Sequence, residues 1–164
     1  MLSKEVEKAI NNQIKNEYYS SYIYLSMAAY CESINMQGFA KWMRTQSNEE
    51  MKHAMRLFDY VIDRDGRVVL QSIPKPPLDF ESLAKIFQQV LDHEREVTSM
   101  INKLYELAIN DNDHATSVEL QWFISEQVEE EKSAKDILEK LKLAGDDPSA
   151  LLILDHQLSE RAVE

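Results

Sequence analysis

Residues 67–79 read RVVLQSIPKPPLD, and this stretch decides how the helices on either side of it are arranged. Three of the chain's four prolines lie in it, at Pro74, Pro76 and Pro77. Proline interrupts a helix because it lacks the backbone N–H and its ring clashes with the preceding turn. On both sides, apolar residues recur at alternating steps of three and four, which is typical of long amphipathic helices. Residues 67–79 are therefore predicted to form an extended link between two helices.

Glycine and proline are scarce, with three and four copies in 164 residues, which favours long uninterrupted helices. We predict a single domain over residues 1–164. The predicted helices are α1 at about 4–33, α2 at about 38–65, α3 at about 80–110, α4 at about 114–144 and a short α5 at about 148–161. Ser3 is the predicted N-cap of α1, Gly66 the predicted stop of α2, and Glu81 belongs to the predicted first turn of α3.

The length of the link predicts the topology. The predicted α2 has about 28 residues and is therefore about 42 Å long, at 1.5 Å per residue. The link has about 14 residues and can span at most about 46 Å when fully extended. Short turns make α1 and α2, and likewise α3 and α4, antiparallel, whereas a link of bundle length makes α2 and α3 parallel. The predicted fold class is all-α: a four-helix bundle with one long crossover between α2 and α3, plus a short C-terminal fifth helix.

Composition excludes several classes of function. The net charge of −11 argues against nucleic-acid binding and suits a protein that collects cations. Cys31 is the only cysteine, so no internal disulfide can form, and a reducing cytoplasm is the expected location. No apolar run approaches the roughly 18 to 20 residues of a membrane span, and the N-terminus is too polar for a signal peptide. We therefore expect a cytoplasmic protein without a nucleic-acid or membrane partner.

Polar residues interrupt the inward-facing apolar stripe of each long helix near its middle. They are Glu17 on α1, Glu50 and His53 on α2, Glu94 on α3, and Gln127 and Glu130 on α4. Counted from the turns that join the helices, their positions differ by about 5 Å or less along the bundle axis, at 1.5 Å per residue. We therefore expect these six side chains to meet at one level of the core.

Two readings without a metal compete with a metal site. Each polar residue taken alone could be a solvent-facing side chain on a misjudged stripe, and the group could be a buried polar cluster that sets helix register. Four buried carboxylates at one level would repel one another and be desolvated, and cations would resolve that conflict. Oxygen ligands with one imidazole suit iron or manganese, and the number of carboxylates indicates two metals that share a bridge.

Four segments carry a resemblance to a known family. They are NEYYSSYIYLSMA around Glu17, NEEMKHAM around Glu50 and His53, DHEREVT around Glu94, and LQWFISEQVEEEK around Gln127 and Glu130. With these segments the chain resembles the ferritins, specifically the bacterial and archaeal non-haem ferritins, over essentially its whole length. The resemblance implies an iron-storage protein with ferroxidase activity: dioxygen or hydrogen peroxide oxidises Fe(II), and Fe(III) is stored as a hydrated oxide inside a hollow homo-oligomer, normally of 24 subunits.

The resemblance also implies roles for individual residues. Glu17, Glu50 and His53 would hold the first iron, and Glu50 would bridge to a second iron held by Glu94 and Glu130. Gln127 would lie beside the iron pair or near bound oxygen. Tyr24, two turns along α1 from Glu17, is similar to the family's tyrosine beside the centre, a candidate electron donor; the alternative is an ordinary core tyrosine.

A third iron site is implied at the edge of the centre. Glu49, Glu126 and Glu129, with Glu130, resemble the third site of bacterial non-haem ferritins, and the alternative is a solvated acidic face. We expect these carboxylates to have no imidazole nearby, so that iron exchanges easily there. Helix α4 offers Gln127 and Glu130 where the symmetric di-iron pattern has a second ExxH, so the two irons should differ in environment.

Other members of the wider group remain as alternatives. Met51 follows Glu50 directly, where haem-containing bacterioferritins place a haem-ligating methionine, but Gln127 and Glu130 indicate a non-haem protein, with Met51 as a surface or interface residue. A soluble di-iron oxidase or a rubrerythrin-like peroxidase is a second alternative, although one cysteine cannot supply the rubrerythrin Cys-rich domain.

The alternative that is not an enzyme is a DNA-protecting mini-ferritin, but mini-ferritins lack α5. That helix is apolar on one side, and we expect it to pack at subunit contacts.

Overall fold

The computed structural model describes residues 2–160, which form five helices and no strand. The helices are α1 Lys4–Ser33, α2 Gln37–Asp63, α3 Leu83–Asn110, α4 His114–Ala144 and α5 Pro148–Ser159. The predicted all-α bundle with a short fifth helix is therefore confirmed. The last residue of the predicted α5, at 161, lies outside the described residues. Within those residues, no helix is both long enough and apolar enough to cross a membrane.

The link between α2 and α3 runs along the outside of α1. Near the start of α1, the Asn11 side chain accepts a hydrogen bond from the Val69 N–H at 2.7 Å and donates one to the Arg67 carbonyl at 3.0 Å. Near the end of α1, the Ser26 hydroxyl donates to the carbonyl of Pro77. The link therefore travels back past α2 from its end to its beginning, which makes α3 parallel to α2 as predicted.

Helix α3 begins later than the sequence predicted. The side chain of Ser82 accepts a hydrogen bond from the Lys85 N–H at 3.2 Å, so Ser82 is the N-cap and Glu81 precedes the helix. Phe80 is 8% exposed, and its ring packs edge-on against that of Tyr30 with the ring centroids 5.3 Å apart. The prediction placed Glu81 in the first turn because acidic residues suit that position. A serine cap and the burial of Phe80 fix the actual start.

The end of α2 also differs from the prediction. The Asp65 N–H donates to the Ile62 carbonyl at 3.0 Å and the Gly66 N–H donates to the Val61 carbonyl at 2.9 Å. This is the Schellman arrangement, in which the residue before Gly66 takes the left-handed conformation, and Asp65 has φ of +56°. Asp65, and not Gly66, is therefore the left-handed residue that ends α2.

Gly66 is needed instead for close approach. A Cβ at this position would lie 2.9 Å from both the Val61 Cγ1 and the Val61 carbonyl oxygen. We expect Gly66→Ala to lower the free energy of unfolding by about 1–3 kcal/mol, the usual cost of overpacking. The matched change Asp65→Gly should not destabilise the protein, because glycine adopts the left-handed conformation without strain. Urea unfolding of both variants checks the pair, and a larger loss in Asp65→Gly would contradict this assignment.

Two hydrophobic clusters fill the bundle, one on each side of the polar level. The first contains Phe39 and Trp42, whose ring centroids lie 5.9 and 5.1 Å from that of Phe87, and it extends to α5. The second contains Ile10, Leu57, Ile101, Leu120 and Phe123, among others. The six polar residues lie between these clusters, in what we term the polar layer: Glu17, Glu50, His53, Glu94, Gln127 and Glu130.

Helix α5 docks on the beginning of α2, which has no side-chain cap of its own. The Phe39 N–H donates to the Asp155 carboxylate at 3.0 Å, so α5 supplies the cap that α2 lacks. The backbones approach so closely that a Cβ on Gly38 would lie 1.7 Å from the Asp155 carbonyl oxygen. Leu154 and Leu158 of α5 are buried against the bundle, whereas Leu152 and Ile153 are 60% and 61% exposed.

Candidate metal centre

All six residues of the polar layer are buried. The largest exposed fraction among them is 6%, at Glu130, and Glu94 is 0% exposed. Each of the four long helices, α1 to α4, contributes at least one of them, at a position of the inward stripe where the bundle would otherwise bury an apolar residue. Burial of carboxylates is costly unless a cation or hydrogen-bond donors compensate the charge.

The first ligand group joins α1 and α2. Glu50 and His53 are three residues apart and therefore on the same face of α2, with the His53 Nδ1 3.3 Å from the Glu50 Oε2. Glu17 reaches the same point from α1, and the ligand atoms of all three residues lie within 4.8 Å of one another. One imidazole and two carboxylates at this spacing can coordinate one divalent cation.

Glu94 lies on the other side of the layer and is held at both oxygens. The Tyr24 hydroxyl donates a short hydrogen bond to Oε1, and the Gln127 Nε2 donates to Oε2 at 3.1 Å. The Tyr24 ring is 1% exposed and meets Trp42 edge-on at 6.2 Å. Tyr24 therefore contacts a candidate ligand directly.

Side-chain amides hold two of the other carboxylates. The Gln46 Nε2 donates to the Glu130 Oε2 at 2.7 Å, and the Gln13 Nε2 donates to the Glu17 Oε1 at 2.8 Å. Gln13 was not among the predicted site residues, although its place four residues before Glu17 is a signal for a contact on one helix face. The Glu17 Oε2 is the one buried side-chain oxygen or nitrogen among residues 2–160 that lacks a hydrogen-bond partner.

The electrostatics of the layer favour a bound cation. Burial raises the pKa of Glu50 well above its ordinary value, and the negative charges of Glu94 and Glu17 raise it further. Burial also raises the pKa of Glu94, to about 7, against hydrogen bonds from Tyr24 and Gln127 that lower it. Divalent cations would remove this repulsion and give the unpartnered Glu17 oxygen a ligand role, so the donor set fits Fe(II).

A second ligand group shares the imidazole of the first. Ligand atoms of His53, Glu126 and Glu130 lie within 4.8 Å of one another. The expectation that no imidazole lies near the third-site carboxylates is therefore wrong. The direction of the ring could not be read from helical spacing, because it depends on the packing of His53 against Trp122 and Phe123, with ring centroids 5.4 and 6.0 Å away.

A surface cleft opens beside this second group. Its volume is about 490 Å³, and Glu49 and Glu126, both half-buried, line it together with His53. Arg56 stacks over the Trp122 ring at 4.1 Å and pairs with Glu119, which closes one side of the cleft.

Two more residues from the sequence analysis lie on exposed surface. Glu129 is exposed, and it belongs to neither of the two ligand groups found among residues 2–160. Met51 is 42% exposed and, as its spacing predicted, lies off the inward stripe that carries Glu50.

The profile of the family described as Ferritin-like domain matches residues 7–144, a span that includes every residue of both ligand groups. The chain belongs to the ferritin family. This ferritin is 39% identical to the bacterial non-heme ferritin of Staphylococcus epidermidis over 162 residues, which cover 99% of this chain and 98% of the relative. It is 40% identical to the bacterial non-heme ferritin of Bacteroides fragilis over 161 residues, which cover 98% of this chain and 100% of the relative.

Solved structures give the same assignment. An open-pore ferritin from the hyperthermophilic archaeon Archaeoglobus fulgidus is 49% identical, with a TM-score of 0.97 over 98% of each chain. A closed form of the Archaeoglobus fulgidus ferritin, engineered by site-directed mutagenesis, is 48% identical, with a TM-score of 0.99 over 100% of each chain. The predicted resemblance to bacterial and archaeal non-haem ferritins is confirmed.

Proposed function

We propose that this ferritin stores iron by oxidising Fe(II) at a dinuclear ferroxidase centre in the polar layer and depositing Fe(III) as a hydrated oxide inside a hollow homo-oligomer. The observation that carries the proposal is the buried layer of four carboxylates and one imidazole, in which one Glu17 oxygen has no partner. Such a layer is destabilised by its own charge until cations enter it. Family membership supports iron as the cation and storage as the outcome.

In this proposal each residue has a defined part. Glu17, Glu50 and His53 bind one Fe(II), and Glu50 bridges to the second, which Glu94 and Glu130 bind. Two Fe(II) ions release one electron each, and dioxygen takes up two electrons and two protons from solvent to give hydrogen peroxide. Where hydrogen peroxide is the oxidant, the same electrons and protons give water.

The neighbouring polar groups would tune this centre. Amide donors from Gln13, Gln46 and Gln127 hold the carboxylates in place without adding positive charge. Tyr24 donates its hydroxyl hydrogen to Glu94 and is a candidate electron donor. Because Gln127 occupies the position of a second histidine, the two irons have unlike ligands, which suits a centre that passes iron onward.

The proposed assembly is a cage of identical subunits, normally 24, in the cytoplasm. The apolar residues Leu152 and Ile153 of α5 are exposed in the single chain and are suited to a contact between subunits. The net charge of −11 supplies an acidic protein surface on which Fe(III) could collect.

Iron loading followed by sedimentation tests the proposal. We expect the protein to sediment as a large particle before loading and to contain an electron-dense core after stepwise addition of Fe(II) in air. A soluble di-iron oxidase would consume Fe(II) but stay small and core-free, and a bacterioferritin would show haem absorption. Monomers or dimers alone, at every pH and salt concentration tried, would overturn the storage proposal.

A third, transit site is proposed beside the centre, formed by Glu49 and Glu126, which line the cleft, together with Glu129 and Glu130. Replacing Glu49, Glu126 and Glu129 together by alanine should leave paired binding at the centre largely intact. It should change the ratio of iron oxidised to oxygen consumed and slow recovery of the centre before a second round. Stopped-flow oxidation with successive Fe(II) additions, read beside oxygen uptake, measures both quantities.

Single variants refine this prediction. Glu126 belongs to the group with His53, whereas Glu129 is exposed, so Glu126→Ala should reproduce more of the triple effect than Glu129→Ala. A matched triple replacement of the exposed Glu5, Glu106 and Glu139 by alanine controls for net charge. If the triple variant of Glu49, Glu126 and Glu129 equals the control in stoichiometry and in every later round, these carboxylates are only a solvated face.

A further inference from the structure

The amide of Gln127 is surrounded by hydrogen-bond acceptors. Its Nε2 lies 3.1 Å from the Glu94 Oε2, 3.2 Å from the Glu94 carbonyl oxygen and 3.4 Å from the Thr98 Oγ1. The carbonyl oxygen can only accept, so the NH₂ group and not the amide oxygen must face Glu94. The orientation of Gln127 therefore depends on which acceptors stay available to it.

Thr98 determines which acceptors are available, because two acceptors lie within reach of the single hydrogen of its hydroxyl. The Oγ1 lies 2.9 Å from the Glu94 carbonyl oxygen and 2.7 Å from the Glu131 Oε1. A hydrogen bond to a carboxylate is stronger than one to a neutral carbonyl, and here it is also the shorter. The hydroxyl hydrogen therefore goes to Glu131. The Glu94 carbonyl and a Thr98 lone pair are then both left for the Gln127 amide.

Glu131 itself lies at the surface between α3 and α4. Its side chain is 33% exposed, and Arg95, on the same side of the bundle, approaches its other oxygen at 4.0 Å. A partly exposed carboxylate thus reaches the buried Glu94 through two intermediates, Thr98 and Gln127. None of these three contacts involves the group formed by Glu17, Glu50 and His53.

We propose that Thr98 and Glu131 are positioning residues that hold the Gln127 amide on Glu94 and so fix the geometry of the second metal position. The inference rests on the proposed function, in which Glu94 is a ligand of the second iron. Removal of the hydroxyl takes an acceptor from Gln127. Removal of the Glu131 carboxylate turns the hydroxyl toward the Glu94 carbonyl, where it competes with the amide.

Binding of Co(II) to the full-length metal-free protein tests the inference without relying on oxidation. Thr98→Val keeps the side-chain shape and removes the hydroxyl. We expect it to weaken one of two bound Co(II) ions about tenfold, the lower end of the effect of lost outer-shell partners. Visible absorption and calorimetric titration measure each affinity, and the thermal unfolding midpoint of the apoprotein should not change.

Three further variants separate positioning from structure. Thr98→Ser should restore wild-type affinity, and Glu131→Ala should weaken the same ion by less than Thr98→Val does. Ser99→Ala, at an exposed neighbour on α3, is the matched control and should have no effect. In a Glu94→Gln background, Thr98→Val should add no further loss, because coupled residues give non-additive effects.

The outcomes distinguish this inference from the proposed function. A wild-type protein that binds no pair of Co(II) ions would overturn both. If the wild-type protein binds two Co(II) ions and Thr98→Val binds both with unchanged affinity, the positioning role alone is overturned. The same is true of a loss in Thr98→Ser equal to that in Thr98→Val, or of additive effects in the Glu94→Gln background.

Discussion

Replacing Glu50 by alanine is expected to abolish rapid oxidation of Fe(II). Glu50 is the proposed bridge, so its loss disrupts both metal positions together. The rate should fall by more than the roughly 10- to 100-fold that the loss of an outer-shell partner costs. His53→Ala should fall nearly as far, since His53 belongs to both ligand groups. Stopped-flow absorbance after one addition of two Fe(II) per subunit measures the loss.

The stability of the metal-free variants is the internal control for this prediction. Burial raises the pKa of Glu50, so the metal-free protein gains little from this side chain, and Glu50→Gln, which keeps its volume, should not lower the free energy of unfolding. An exposed replacement, Glu5→Ala, should oxidise Fe(II) at the wild-type rate. Wild-type oxidation by Glu50→Ala would show that the centre has been placed wrongly.

Gly38→Ala is expected to detach α5 from the bundle. The added Cβ would overlap the Asp155 carbonyl oxygen, a backbone atom that cannot move aside without moving the helix. Displacement of α5 uncovers Leu154 and Leu158, and burial of each leucine is worth about 1.5–3 kcal/mol. We therefore expect the free energy of unfolding to fall by about 3–6 kcal/mol for the two leucines together, and limited proteolysis to cut within residues 145–160.

A second variant separates this overlap from the loss of the cap. Asp155→Ala removes only the hydrogen bond to the Phe39 N–H and should cost about 1 kcal/mol, as other N-cap losses do. If Gly38→Ala unfolds like the wild-type protein and resists the protease equally, α5 does not pack as described.

The sequence allowed the helices and their topology to be predicted because helical periodicity and proline content are local signals. The errors lay at helix ends, where a few hydrogen bonds determine which residue begins or ends the helix. Ser82 displaced the predicted start of α3 through a single cap, and Asp65 took the conformation expected of Gly66. Both outcomes depend on turn geometry that a count of residues does not contain.

For the candidate site, helical spacing placed six polar residues at one level. The structure buries all six and joins them through the two ligand groups and the hydrogen bond from Gln127 to Glu94. Spacing could not show that His53 also faces Glu126, because two aromatic rings on α4 orient the imidazole. Nor could it show the contact of Thr98 with Glu131, since both residues lie beside the inward stripe and look like ordinary surface positions.

The route of the link along α1 has a consequence for folding. Residues 4–63 and 83–144 are two αα-hairpins, each with mostly local contacts, and such units form quickly compared with long-range pairings. The backbone connects these two hairpins through residues 64–82, which are hydrogen-bonded along α1. Glu17, Glu50 and His53 come from the first hairpin, whereas Glu94 and Glu130 come from the second. A metal pair bridged by Glu50 would therefore link the two hairpins through its ligands. Metal loading should protect the interface between the hairpins from hydrogen exchange more than it protects either hairpin.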